Sequence, residues 1–162
     1  ITLTLTGWDK TTSDGLKFEV SDAASKNAYG EPVEDTQGPV DVDDKAAPVV
    51  EEIYFDDDEG KTIEIKLSEE IDEDTIAPSG KNGFSVSGGK AKLTSAALKD
   101  DDHSVIVLTG ENFKETTDVS YNDVFGLFGL TDKKGNALKS FTRTDKLKPM
   151  PAEGEEEGGD GN

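Results

Sequence analysis

The side chains of this sequence that are best placed to do chemistry are carboxylates, which occur in four short runs. A calcium ion takes about six to eight oxygen ligands, and neighbouring carboxylates in loops provide them while repelling one another when the site is empty. We therefore predict structural Ca²⁺ binding, with the run at residues 41–44 as the best candidate. The alternative is that the runs are solvated turns that keep the protein soluble and its sheet edges unpaired. The predicted ligands are Asp41, Asp43, Asp44, Asp56, Asp57, Asp58, Asp72, Asp100 and Asp102.

Catalytic side chains are not indicated. The sole histidine, His103, follows Asp102 and is expected to be an exposed turn residue. No Gly-x-Ser-x-Gly nucleophile motif occurs, and the absence of cysteine removes a thiol nucleophile, a disulfide framework and a thiolate metal site. The acidic residues fall in predicted loops rather than in an aromatic-lined groove, which argues against a glycosidase pair of carboxylates. We therefore predict that the protein is not an enzyme.

Three further features have two interpretations each. The segment 132–136 is best explained as a turn in which Asp132 and Asn136 bond the local backbone, with metal ligation as the alternative. Trp8 either covers a junction between modules or stacks on a sugar. The apolar run Phe125–Leu130 either folds over the edge of its own sheet or contacts a neighbouring subunit.

The charge balance excludes two classes of partner. The chain has 36 acidic and 17 basic residues, which gives a formal net charge of −19. Such a surface repels nucleic acid and anionic membrane. No apolar run is long enough to insert into a bilayer. We therefore predict neither nucleic-acid binding nor membrane insertion.

Short stretches of alternating apolar residues predict a chain built from β-strands. In the clearest case, Ile63, Ile65 and Leu67 point to one face of a strand and the intervening polar residues to the other. A single helical turn is predicted around residues 70–76, with Asp72 as its cap. Several short strands separated by Gly, Asp, Asn and Ser predict an antiparallel sandwich. The predicted strands lie at 1–5, 16–20, 50–55, 63–67, 84–86, 91–93, 105–108 and 119–121.

One repeat occurs twice in the chain. The tripeptide Leu5-Thr6-Gly7 returns as Leu108-Thr109-Gly110, and the same order of strand and turn signals follows each copy. The first copy lacks the strands that precede the second, so the sequence is predicted to begin within a module. The predicted organisation is the C-terminal half of a repeat at 1–36, an acidic linker at 37–46, a complete β-sandwich at 47–142 and a disordered acidic tail at 143–162.

The complete module contains an ordered set of motifs, namely Ile63–Asp72, Thr75-Ile76, Phe84–Val86, Val105–Leu108, Val119–Tyr121 and Leu130–Leu138. This set resembles the bacterial Ig-like repeat of S-layer proteins and large surface adhesins, except that Leu67 stands where the family pattern has Phe. The resemblance implies an all-β, Ig-like antiparallel β-sandwich and a secreted, cell-surface protein. The linker Asp41–Pro48 is similar to the calcium-binding linker between cadherin repeats, from which Lys45 departs.

These expectations lead to one functional prediction and one rival. We predict a non-catalytic structural module of a bacterial S-layer or surface fibre protein, which packs against copies of itself or adjacent repeats and is stiffened by Ca²⁺. The rival is a module that binds a surface glycan or a protein, in an adhesin or beside an extracellular hydrolase. The missing half of the first module has three possible sources: the upstream parent chain, strand donation by another copy, or packing against the complete module.

Overall fold

The structure is a computed structural model of the 162-residue chain, and it describes residues 17–18, 40–41, 44–56, 59–123 and 129–151. The chain divides into two compact units, Ile1–Ala46 and Ala47–Asn162. In the first unit, β1 (Lys17–Phe18) pairs antiparallel with β2 (Val40–Asp41). Trp8, the predicted strand at 1–5 and the apolar residues at 124–128 lie outside the described residues.

The second unit is an all-β sandwich, as the sequence predicts. One sheet has the strand order β10-β3-β4-β7-β6, and the other has the order β5-β8-β9. Every pairing in the two sheets is antiparallel except that of β10 with β3. The strands are β3 (Val50–Phe55), β4 (Thr62–Leu67), β5 (Phe84–Ser87), β6 (Lys92–Lys99), β7 (Asp102–Glu111), β8 (Asp118–Tyr121), β9 (Phe141–Arg143) and β10 (Lys148–Pro149).

The strand order of the second unit is that of an immunoglobulin sandwich. In the constant-type immunoglobulin domain the first, second, fifth and fourth strands form one sheet, and the third, sixth and seventh form the other. Counted from β3, the same partition holds here: β3, β4, β7 and β6 are neighbours, as are β5, β8 and β9. The additional strand β10 lies beside β3 and has no counterpart in that set. The predicted all-β sandwich is therefore confirmed for the second unit.

The core lies between the two sheets and follows the predicted alternation. Ile63, Ile65 and Leu67 of β4 are 0 %, 0 % and 2 % exposed. Ile63 stands opposite Leu108 of β7, which is also fully buried. The smaller sheet contributes an aromatic pair, Phe84 and Tyr121, with ring centroids 4.9 Å apart. The remaining buried hydrophobic residues are Ile53, Ile71, Leu93, Ala96, Val105, Ile106, Phe113, Val119, Leu130, Leu138 and Leu147.

The turns explain two features of the sequence. Asp72 caps a 3-10 turn at Glu73–Thr75 by accepting a hydrogen bond from Asp74 N, which confirms the predicted helical turn. Gly110, the glycine of the repeated Leu-Thr-Gly, packs so closely that a Cβ there would lie 2.2 Å from the carbonyl oxygen of Lys92. Only glycine fits at that position without a shift of the backbone.

Several boundaries differ from the prediction. His103 lies within β7 rather than in a turn. The last strand of the smaller sheet is Phe141–Arg143, whereas Ala137 forms only an isolated bridge to Thr131. Residues 144–151, predicted to be part of a disordered tail, contain β10 and the buried Leu147. The alternation of apolar residues is too short at these places to indicate a strand. Residues 152–162 lie outside the described residues.

The first unit contains the same strand pairing as the end of the second. Phe18 of β1 pairs with Val40 of β2, and Tyr121 of β8 pairs with Phe141 of β9, so the offset is 103 residues for the first strand of each ladder and 101 for the second. Both pairs are antiparallel ladders, β1 with β2 and β8 with β9. The sequence repeat therefore has a structural counterpart in the residues described.

Candidate functional site

Asp132 stands at the start of a turn that its own carboxylate organises. Its Oδ1 accepts hydrogen bonds from Lys134 N at 2.7 Å and from Asn136 N at 2.8 Å, and its Oδ2 accepts one from Asn136 Nδ2 at 2.7 Å. Gly135, at φ +85°, allows the chain to close this turn. The predicted turn at 132–136 is confirmed, and the carboxylate is 3 % exposed.

The turn is joined to the segment that follows β4. Asp132 forms an isolated β-bridge with Ile71, and Asp72 N donates to the carbonyl of Thr131 at 2.8 Å. The hydroxyl of Thr75 accepts a hydrogen bond from Thr131 N at 3.3 Å. These contacts hold residues 71–75 against the turn, directly after Glu69 and Glu70.

The smaller sheet anchors the other side of the turn. Leu130 N donates to the Tyr121 hydroxyl at 3.1 Å, and Leu138 N donates to the carbonyl of Leu130 at 2.8 Å. Burial raises the pKa of Tyr121, and the neighbouring Asp123 acts in the same direction, while the bond from Leu130 opposes both. Tyr121 therefore stays a neutral hydroxyl that supports the turn.

Glu69 brings a second carboxylate to Asp132. A carboxylate oxygen of Glu69 and one of Asp132 lie within 4.8 Å of one another. Two ionised groups at this separation repel, and a bound cation would relieve the repulsion. A carboxylate has about four lone-pair positions, and the protein bonds to Asp132 occupy three of them, so one remains for a cation. Among the described residues of the second unit, this pair is the best candidate for binding a hard cation.

The predicted ligands in the second unit do not gather into such a group. Asp56 accepts a hydrogen bond from Glu59 N at 3.3 Å, Asp72 caps the 3-10 turn, and Asp100 is exposed in the turn between β6 and β7. Asp102 accepts two bonds from Ser104, one from the backbone N at 2.9 Å and one from Oγ at 2.6 Å. Within the described ranges, none of these four belongs to a group of three or more acidic or histidine side chains with ligand atoms within 4.8 Å.

The remaining predicted ligands belong to the first unit or to residues that are not described. Asp44 is buried, and its Oδ1 accepts a hydrogen bond from Ala46 N at 3.0 Å. Asp41 contributes its backbone to β2. Asp43, Asp57 and Asp58 lie outside the described residues.

The sequence interpretation did not include Glu69 among the candidate ligands and treated Asp132 mainly as a turn residue. The turn is visible in the sequence because Asp132, Gly135 and Asn136 are close neighbours. Glu69 follows β4 with no signal of its own, and it reaches Asp132 only because Ile71 bridges to that turn. No spacing rule for local motifs could have joined them.

Other placements bear on the predicted chemistry. The Ser104 hydroxyl that bonds Asp102 lowers the pKa of that carboxyl, so Asp102 is an ordinary ionised residue at the start of β7. The carbonyl of His103 accepts a hydrogen bond from Ile71 N at 3.0 Å, within the sheet framework. Among the described residues, no helix is long and apolar enough to cross a bilayer.

Comparison with protein-family models gave no match, and neither did comparison with curated proteins or with solved structures.

Proposed function

We propose that the chain is part of a non-catalytic structural protein of a bacterial cell surface, an S-layer or surface fibre, built from tandem Ig-like modules and stiffened by Ca²⁺. The observation that best supports this proposal is the ladder that occurs twice, β1 with β2 and β8 with β9, at an offset of 103 residues for the first strand and 101 for the second. Repeated modules of one fold are typical of extended proteins whose role is geometric. The formal charge of −19 suits a protein exposed to solvent.

The edges of the larger sheet favour a module that does not aggregate through strand pairing. At β6, Ala96 N donates to the carbonyl of Gly80 at 2.8 Å, and Asn82 Nδ2 donates to the carbonyl of Ala96 at 2.8 Å. At the start of β3, which β10 does not cover, Arg143 donates to the carbonyl of Val50 at 3.3 Å. Backbone groups that could otherwise form hydrogen bonds with a strand of another molecule are thus bonded within the module. Such modules would associate through their ends and faces rather than by extending one sheet.

In this proposal Ca²⁺ binds at the Glu69–Asp132 pair, and the acidic segment 41–44 supplies the linker site predicted from the sequence. A ligand that binds only the folded state at 100 times its dissociation constant stabilises by about 2.7 kcal/mol. We expect Ca²⁺ to raise the melting temperature of the full chain and chelation to lower it. Small-angle scattering should show a longer, stiffer particle with the ion present.

The test uses a matched pair of variants. Asp132→Asn removes a charge but keeps an oxygen that can accept from Lys134 and Asn136, and it should abolish most of the Ca²⁺-dependent rise in melting temperature. Asp100→Asn removes a charge from an exposed turn and should leave that rise unchanged. An equal response of the two variants, or no response of the native chain, would contradict Ca²⁺ binding at this pair.

A second candidate is a glycan- or protein-binding module of an adhesin or of an extracellular hydrolase. A shallow groove favours it, formed beside the first residues of β3 by the apolar residues Val50, Ile53 and Leu147 and by three acidic and three basic residues, namely Glu51, Glu52, Asp145, Arg143, Lys146 and Lys148. Chemical-shift mapping with cell-wall glycan fragments discriminates the two. Saturable shifts at these residues, lost in Arg143→Gln, would favour the binding module over the structural one.

A further inference from the structure

The parallel pair of β3 and β10 sets where the chain enters and leaves the second unit. Lys148 stands opposite Tyr54 and Pro149 opposite Phe55, so the chain leaves beside the end of β3, whereas it enters at Val50. At roughly 3.3 Å per residue, the five steps of β3 separate these points by about 17 Å along the strand. A force that pulls entry and exit apart therefore slides the two strands past each other.

Several contacts oppose that sliding. Met150 N donates to the carbonyl of Phe55 at 3.0 Å, and Lys148 forms an ion pair with Glu52 at 2.8 Å. Leu147 is 6 % exposed and belongs to the hydrophobic core, and its N donates to the carbonyl of Glu115 at 2.8 Å. Backbone, charged and apolar contacts thus all hold this short segment in place.

The segment that forms β10 repeats the sequence that leads into β3. Asp44-Lys45-Ala46-Ala47-Pro48 precedes β3, and Asp145-Lys146-Leu147-Lys148-Pro149 stands 101 residues later, the same offset that relates β2 to β9. In its first occurrence this Asp-Lys-x-x-Pro segment is the covalent path from β2 to β3. The equivalence implies that, in a series of such modules, the connector after each module is also the segment that carries tension out of it.

We propose that β3 and residues 147–150 form a mechanical clamp, in which the connector resists force by shear against the first strand of its own module. The proposal rests on the tandem array of the proposed function and gives that array a force-resisting element. Pulling along the strands loads the backbone bond, the ion pair and the Leu147 contact at the same time. Pulling across one end loads them one after another, which requires less force.

The test is single-molecule force spectroscopy on the full chain with two directions of pull. Because the chain has no cysteine, introduced pairs of cysteines define the attachment points. The pair Val49→Cys and Pro151→Cys applies shear along β3. The pair Glu59→Cys and Pro151→Cys attaches both handles at the Phe55 end and peels the strands apart. Forced unfolding reports the unfolding barrier, and we expect a higher unfolding force in shear than in peeling.

A matched pair of core variants separates the clamp from general stability. Leu147→Ala and Leu93→Ala make the same chemical change at residues that are 6 % and 4 % exposed, the second on β6 at the far edge of the sheet. Leu147→Ala should lose the excess force in shear, and Leu93→Ala should keep it although it also lowers the melting temperature. If either variant does not fold, the comparison of unfolding forces in shear and in peeling still tests the clamp in the chain that keeps both leucines.

Equal forces in the two directions, or an equal loss in the two leucine variants, would overturn the clamp. Neither result would touch the proposed array, which is tested by Ca²⁺-dependent melting and scattering. Conversely, loss of all response to Ca²⁺ with a large difference between shear and peeling would leave the clamp standing as a property of the module alone.

Discussion

Two aspartates of the second unit accept similar local hydrogen bonds, but one is exposed and the other is buried. Asp102 accepts two bonds from Ser104 at the exposed start of β7. Asp132 accepts three bonds from Lys134 and Asn136 while 3 % exposed. The local geometry comes from the aspartate and its next few residues in both cases. The degree of burial depends on the surrounding fold instead. Burial makes the Asp132 carboxylate a candidate for cation binding, whereas the exposed Asp102 carboxylate is an ordinary surface group.

The largest expected effect comes from placing a carboxylate in the hydrophobic core, away from the hydrogen-bond donors of a turn. Leu108 is fully buried and faces Ile63 across the sheet. Leu108→Asp should remove the cooperative melt altogether, because an unpaired buried charge costs several kcal/mol, on the order of the whole stability of a domain. The measurement is thermal denaturation followed by circular dichroism.

The neighbouring residue provides the control for that variant. Thr109 is exposed, so Thr109→Asp adds the same charge on the opposite face of β7 and should change the free energy of unfolding by about 1 kcal/mol or less. A cooperative melt in Leu108→Asp, or unfolding in Thr109→Asp, would show that the two faces of β7 are assigned incorrectly.

A smaller effect is expected from removing the Asp132 carboxylate, which accepts hydrogen bonds from its own turn. Asp132→Ala leaves the amides of Lys134 and Asn136 without their acceptor in a half-buried turn. We expect a loss of about 1 to 3 kcal/mol in the free energy of unfolding, measured by urea denaturation in the presence of a chelator. The same change at the exposed turn residue Asp100 should cost less than about 0.5 kcal/mol. Equal losses at the two positions would show that the burial of Asp132 adds nothing to the stability of its turn.

The smallest effect concerns Asp102, at the exposed start of β7, and the pH dependence of stability that it causes. The Ser104 hydroxyl holds the pKa of Asp102 below its ordinary value. A depressed folded-state pKa contributes stability at pH above the unfolded value, about 3.9, and that contribution is lost as pH falls through the folded value. Ser104→Ala should raise the pKa of Asp102 and flatten this acid dependence, as followed by NMR titration of the carboxyl. An unchanged pKa would show that the hydroxyl is not its main cause.

Much of the fold could be predicted because the strands obey a local rule. Ile63, Ile65 and Leu67 alternate with polar residues, and such a strand buries one face whatever its partners are. The segments that became β9 and β10 are too short and too charged to show this rule. They are strands because neighbouring strands offer them hydrogen bonds, which is a property of the folded sheet.

The candidate site divides in the same way. The Asp132 turn could be predicted from Asp132, Gly135 and Asn136, since these residues bond one another over a few positions. The predicted runs at Asp56 and Asp100 are dense in acids, yet within the described residues they form turns rather than clusters of ligands. A run of acidic residues along the chain therefore does not predict which carboxylates lie close together in the folded protein.

The strands with clear alternation, the turns, the repeat and the strongly acidic character can be predicted from the amino-acid sequence, because each depends on residues near one another in the chain. The neighbours of β10 and of Asp132 cannot be predicted in this way and are set by the folded sheets. Those outcomes depend on packing two sheets around one core, where Glu69 and Asp132 become neighbours through the bridge at Ile71 rather than through the sequence.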